Sequence, residues 1–193
     1  MKHIYMRRAT CRVNMRKTDS LNAPCGFSLV ELLVAIVILG IVVSIAVPNM
    51  NEMARSYQVT SKAAYWMNTL NYARSEAAKR GQRVTLCPSS NGSSCLASSN
   101  LHSGWIAFVD LDNDAVVDVG ESVFRSAPAD DVYTFVLSGT ANTYISFVSN
   151  GMTKTIGNAS WSGNILICRG VGAPGRQVTI SPVGRSKIGN VGC

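Results

Sequence analysis

The sequence predicts an α+β protein, a long N-terminal helix followed by an antiparallel β-sheet or small β-sandwich, and three observations carry that expectation. A nearly uninterrupted apolar run covers 27–47. An apolar pattern at spacings of three and four continues it to Arg80. Beyond Gly81 the period changes to two. At 193 residues the chain has the length of one domain, typically about 100–200 residues. A hydrophobic content of 47% excludes a disordered chain, and 16 glycines without a triplet period exclude collagen.

The first element reads FSLVELLVAIVILGIVVSIAV with Glu31 as its one charge. As a helix it would be about 32 Å long, enough for the hydrocarbon core of a bilayer. Residues 1–26 hold six of the 18 basic residues and one of the 11 acidic ones, so +5 of the net +7 precedes the apolar run and the remainder carries +2. This asymmetry predicts a cytoplasmic N-terminal side and a bulk domain across the membrane. The run is too long for a cleavable secretory signal and lacks an A-x-A-like end. Cys25 precedes it, which argues against a lipoprotein signal. A plain anchor leaves Glu31 unexplained, because a carboxylate in hydrocarbon is costly unless paired.

The stretch Gly26-Phe27-Ser28-Leu29-Val30-Glu31, with a basic leader before it and an apolar helix after it, resembles the processing site of type IV pilins and type II secretion pseudopilins. The resemblance implies that a prepilin peptidase cuts after Gly26 and methylates the amine of Phe27. It further implies that Glu31 receives the Phe27 ammonium of a neighbouring subunit, which removes the cost of the carboxylate and sets an axial register. Met6 and Met15 are alternative starts within the leader.

Pro48 ends the apolar run and would kink a helix. Val59, Ala63, Trp66, Met67, Leu70, Ala73 and Ala77 then mark one face of an amphipathic helix that stops at Arg80-Gly81. The expected organisation is a leader at 1–26, a transmembrane and assembly helix at 27–47, an amphipathic half at 48–81, and a β-rich periplasmic domain with a basic tail at 82–193. Eight short runs follow Gly81, from QRVTLC to VGRSKI, each β-branched or aromatic and bounded by Gly, Asn, Ser or Pro. The order CPSSNGSSC, GWIAFVDLDNDAVVDVGESVFR, ISFVSNGM, ILICRG and VTISPVGRSK resembles the GspH/FimT branch of minor pilins and pseudopilins, closer to FimT.

Four cysteines follow the apolar run, and in an oxidising compartment they allow three pairings. The short loop with Asn91-Gly92 at its turn points to Cys87–Cys95, leaving Cys168–Cys193. No C-x-x-C spacing supports zinc. Asp110, Asp112, Asp114, Asp118 and Glu121 reproduce the spacing of a calcium-binding EF-hand loop, although Ala115 stands in the glycine position and the flanks read as strands. A calcium loop and a solvated hairpin turn are both open. Beyond that calcium no cofactor is expected.

Charge is polarised within the β domain. From Asp110 to Asp131 seven acidic residues face Arg125 alone, whereas from Asn150 to Cys193 there are five basic residues and no acid. Arg185 and Lys187 alternate along a strand and so share a face, with Arg169 and Arg176 as auxiliaries. The resemblance to FimT-like proteins implies contact between a GR-x-R element and DNA during uptake; here the second arginine is Lys187, which keeps the charge without the fork. Two readings stand: backbone contacts to double-stranded DNA, or solvated charges that meet an adjacent subunit's acidic loop. Catalysis is not expected, because His3 lies in the leader and His102 has no matching nucleophile and acid. The resemblance thus implies a minor pilin of a type IV pilus or pseudopilus, anchored in the inner membrane. Its partners would be other pilin subunits and prepilin peptidase. The alternative is the minor pseudopilin H of a type II secretion system.

Overall fold

The computed structural model describes residues 27–193, apart from the side chains of 45–49. Helix α1 runs Leu29–Arg80 and is followed by eight strands. The chain divides into two units, one ending at Ser44 and one spanning Ile45–Cys193. In the first, Ser28 caps the helix: its hydroxyl accepts from the Glu31 amide at 3.2 Å and its carbonyl from the Leu32 amide at 3.1 Å. Every described side chain from Phe27 to Ser44 is exposed. The predicted membrane segment at 27–47 lies partly outside the described side chains. Among the described residues no helix is long and apolar enough to cross a membrane.

In the second unit the three-and-four spacing of the sequence becomes one buried face of α1, with Val59, Ala63, Trp66, Leu70, Ala73 and Ala77 at most 1% exposed. Two four-stranded antiparallel sheets share it. The first has the order β3-β2-β1-β5, from β1 (Arg83–Pro88), β2 (Trp105–Asp110), β3 (Val123–Ala127) and β5 (Ile145–Phe147). The second has the order β4-β6-β7-β8, from β4 (Thr134–Gly139), β6 (Gly163–Cys168), β7 (Pro174–Ile180) and β8 (Ser186–Gly192).

The period of two sorts side chains by face. Val84 and Leu86 of β1 and Trp105 and Ala107 of β2 join the helix core, as do Ile165, Ile167, Val178 and Ile180 of the second sheet. The intervening Cys87, Ile106 and Phe108 form a second cluster on the other side with Ala115 and Tyr144. This explains why β1 and β2 are buried at every position.

The expected antiparallel β domain after a long helix is therefore present. The end of the chain differs from its reading as an exposed basic tail starting a strand at Val183. Gly184, at φ 73°, donates its amide to Ser181, and the Ser181 amide donates to Arg185, so 181–185 is a turn. The strand begins at Ser186 and pairs with β7 from Ile180↔Ser186 to Pro174↔Gly192. The glycines of the tail thus serve a hairpin.

Leu70 is completely buried between the helix and both sheets. Leu70→Ala is expected to cost about 2–5 kcal/mol, read as a lower urea midpoint with an unchanged m-value.

Candidate functional site

The residues singled out by the sequence fall into four places. At the start of the described chain Phe27 is 80% exposed and Glu31 stands in the first helical turn. Gly26 lies outside the described residues. Ser28 adds a role that the sequence reading missed, although S-x-x-E before an apolar run is the signal of a helix cap.

Both cysteine pairs are bonded, Cys87 to Cys95 with Cα atoms 5.6 Å apart and Cys168 to Cys193 with Cα atoms 5.9 Å apart. In the first loop the Asn91 side chain accepts from the Ser93 and Ser94 amides, and Gly92 takes φ 72°. The second bond joins the end of β6 to the last residue. A loop of that size removes about 3–4 kcal/mol of unfolded-state entropy.

In the acidic loop Asp110, Asp112 and Asp114 converge, with oxygens within 4.8 Å of one another. Asp110 is buried at 1% exposure and accepts from the Thr85 hydroxyl at 2.7 Å and the Asp114 amide at 3.2 Å. Glu121 does not join them in this arrangement: its two oxygens accept from the Leu111 and Asp118 amides at 2.6 and 3.1 Å. Ala115 has φ 64°, the left-handed conformation that a glycine would adopt more easily, while its methyl is buried in the second cluster. Burial of that methyl accounts for an alanine in this place.

The four basic residues separate into two pairs. Arg176 bonds the Ser56 hydroxyl at 3.3 Å, and Arg169 bonds Gln58 and lies 5.8 Å over the Tyr133 ring. Arg185 and Lys187 instead line a cleft of about 750 Å³ with Asn71, Arg74, Thr179, Ser181 and Ser186. Ser56 and Arg74 are roughly 27 Å apart at 1.5 Å per helical residue. Neither Arg169 nor Arg176 lines the cleft that holds Arg185 and Lys187. Arg74 was missed because its position within the amphipathic pattern reads as a solvated helix charge; only the fold brings it to β8.

One carboxylate, Asp130, holds the helix to a loop, and a second, Glu76, is paired within the helix itself. Asp130 meets Lys62 at 2.6 Å, and Lys62 also lies 4.9 Å over the Tyr133 ring. Burial works to raise the Asp130 pKa, but the Lys62 hydrogen bond and the Val132 and Tyr133 amides hold it below its ordinary value. Glu76 is lowered by its hydrogen bond to Arg80 at 2.7 Å, with Lys79 assisting against burial.

A long N-terminal helix whose second half carries two antiparallel sheets, behind a Gly-Phe-Ser-Leu-Val-Glu start, defines a pilin-like structural subunit. The family model of the type II transport protein GspH matches residues 63–184, and the chain belongs to that family. The prokaryotic N-terminal methylation motif matches residues 21–47. No curated protein matches. The fold is similar to two crystal forms of the type IV minor pilin FimU of Pseudomonas aeruginosa. One has 21% identity over 67% of this chain and 91% of that one, with a TM-score of 0.51. The other has 19% identity over 71% and 92%, with a TM-score of 0.53. The protein is thus a structural pilin-like or pseudopilin subunit rather than an enzyme. Its class implies other pilin subunits and a prepilin peptidase as partners.

Because the Asp130 pKa is lowered on folding, its ion pair stabilises the protein above the ordinary carboxylate value of 3.8, and that contribution is lost as pH falls through the lowered value. Asp130→Asn is expected to be less stable than the parent at pH 7. The difference in thermal midpoint should shrink progressively below pH 3.8, as followed by circular dichroism.

Proposed function

We propose that the chain is a FimT-like minor pilin. In this reading residues 1–26 are removed after Gly26, the new Phe27 amine is methylated, and the helix at 27–47 holds the subunit as a single pass in the inner membrane. The N-terminus lies on the cytoplasmic side and the β domain in the periplasm until assembly into a pilus or pseudopilus. The carrying observation is the exposed apolar surface from Phe27 to Ser44 with Glu31 as its one charge. Such a surface needs lipid or other helices around it, and its carboxylate needs a cation.

Co-expression with a prepilin peptidase tests the processing step through intact mass. The expected product begins at Phe27 and carries one added methyl group, while Gly26→Asp retains the leader. A parent chain that keeps residues 1–26 in the presence of an active peptidase would overturn the proposal.

The finer part of the reading is that the β7–β8 hairpin contacts duplex DNA through its phosphates, with Arg185 and Lys187 as exposed cations. Electrostatic contacts without interleaved aromatics give sequence-independent, salt-sensitive binding. The double variant Arg185→Ala, Lys187→Ala is expected to lose duplex retention in a gel-shift series against salt; unchanged retention removes the hairpin as the site. The match of the GspH family model favours a second reading, a minor pseudopilin of a type II secretion apparatus. Co-purification with secretion pseudopilins, without duplex binding, would support that alternative.

A further inference from the structure

We infer that Arg74 of the long helix is the third arm of a phosphodiester-binding cleft completed by Arg185 and Lys187, so that the site is a seam between helix and sheet. This rests on the DNA reading above and adds to it a residue far away in sequence. The cleft gathers three cations, the Asn71 amide and three hydroxyl side chains, and no carboxylate lines it. Among the described residues none of the three cations has a carboxylate within ion-pair distance, whereas Lys62, Lys79 and Arg80 each have one. The Ser186 hydroxyl in the same lining is buried and has no hydrogen-bond partner.

Two bare turns cradle the Arg74 side chain. A Cβ on Gly151 would stand 2.8 Å from Arg74 Nε, and one on Gly184 would stand 3.1 Å from it while colliding with the Gly151 carbonyl. Both glycines have positive φ, 76° and 73°. The half-buried arginine therefore lies across glycine surface without a carboxylate to neutralise it. Its stem is restrained by packing, which lowers the ordering cost of a contact made by the guanidinium. Gly184 immediately precedes Arg185, so the same turn that makes room for Arg74 starts the segment bearing the other two cations. Asn71, one helical turn before Arg74, adds a side-chain donor suited to a phosphate oxygen.

Three phosphate contacts predict a salt dependence set by their number, with log K falling by about 0.9 per contact for each unit of log salt concentration. The test uses the full-length chain in detergent micelles and a fluorescein-labelled duplex, with anisotropy titrations at several salt concentrations. Arg74→Gln, Arg185→Gln and Lys187→Gln are each expected to reduce the slope by about one, while Arg169→Gln and Arg176→Gln leave it at the parent value. Arg74→Lys, which keeps the charge and loses the fork, should retain the slope with a lower affinity. Far-ultraviolet circular dichroism and urea midpoints establish that each variant is folded. A folded Arg74→Gln with the parent slope, beside weakened Arg185→Gln and Lys187→Gln, sinks the three-armed cleft and leaves the hairpin reading intact. A parent chain that binds no duplex sinks both. Parent-like binding of a synthetic peptide of residues 110–121, abolished in Arg74→Gln and not displaced by duplex, assigns the cleft to an acidic protein segment and overturns the proposal.

Discussion

One stripe of α1, from Val59 to Ala77, is the surface on which both sheets depend. Each sheet turns an apolar face inward, and neither packs that face against the helix without leaving room for the other. Trp66 shows how the sharing works, with its ring 5.6 Å from Trp105 of the first sheet and 5.6 Å from Phe135 of the second. A large aromatic in a fully buried position contributes area to both contacts at once. The small residues Ala63, Ala73 and Ala77 in the same stripe let the strands approach closely around it.

Because the hydrophobic work is concentrated on that stripe, the polar groups around it divide into those that close the domain and those that remain outward. Lys62, Arg80, Arg169 and Arg176 tie the helix to loops or to its own carboxylates. Asp110 and Glu121 close the acidic loop on its own amides and on Thr85. The net charge of +7 therefore says little about binding, and internal partners are the better guide: a cation that already holds an acceptor has less to offer an incoming anion. The outward cations that gather into a cleft are few, and one of them comes from the helix.

Much of this architecture was legible because each element repeats one physical signal. The three-four spacing from Val59 to Ala77 and the alternation in NILICR and RQVTIS state which side chains must leave water, and both are local properties. The short cysteine loop around Asn91-Gly92 was readable for the same reason. What stayed hidden depends on residues distant in sequence. Arg74 next to Lys187 requires the docking of β8 beside the helix, and the different settings of Arg176 and Arg185 require knowing that one reaches Ser56 while the other lies in the turn beside Arg74. The strand start at Ser186 was misplaced because Gly184 reads equally as part of a loose glycine-rich tail and as a left-handed turn. The place of Ala115 was likewise unreadable, since its buried methyl belongs to a cluster assembled from β1, β2 and Tyr144.

The bond between Cys168 and Cys193 has a further consequence for the chain as a covalent object. It closes a ring containing all of β7 and β8 and the turn between them. A protease that cuts the exposed backbone near Pro182 or Val183 would open that ring without releasing a fragment, and the two cut strands would remain tethered at their far ends. The cleft-bearing turn can thus be nicked while the rest of the hairpin stays in register, so damage at that turn is contained by chemistry rather than by packing alone.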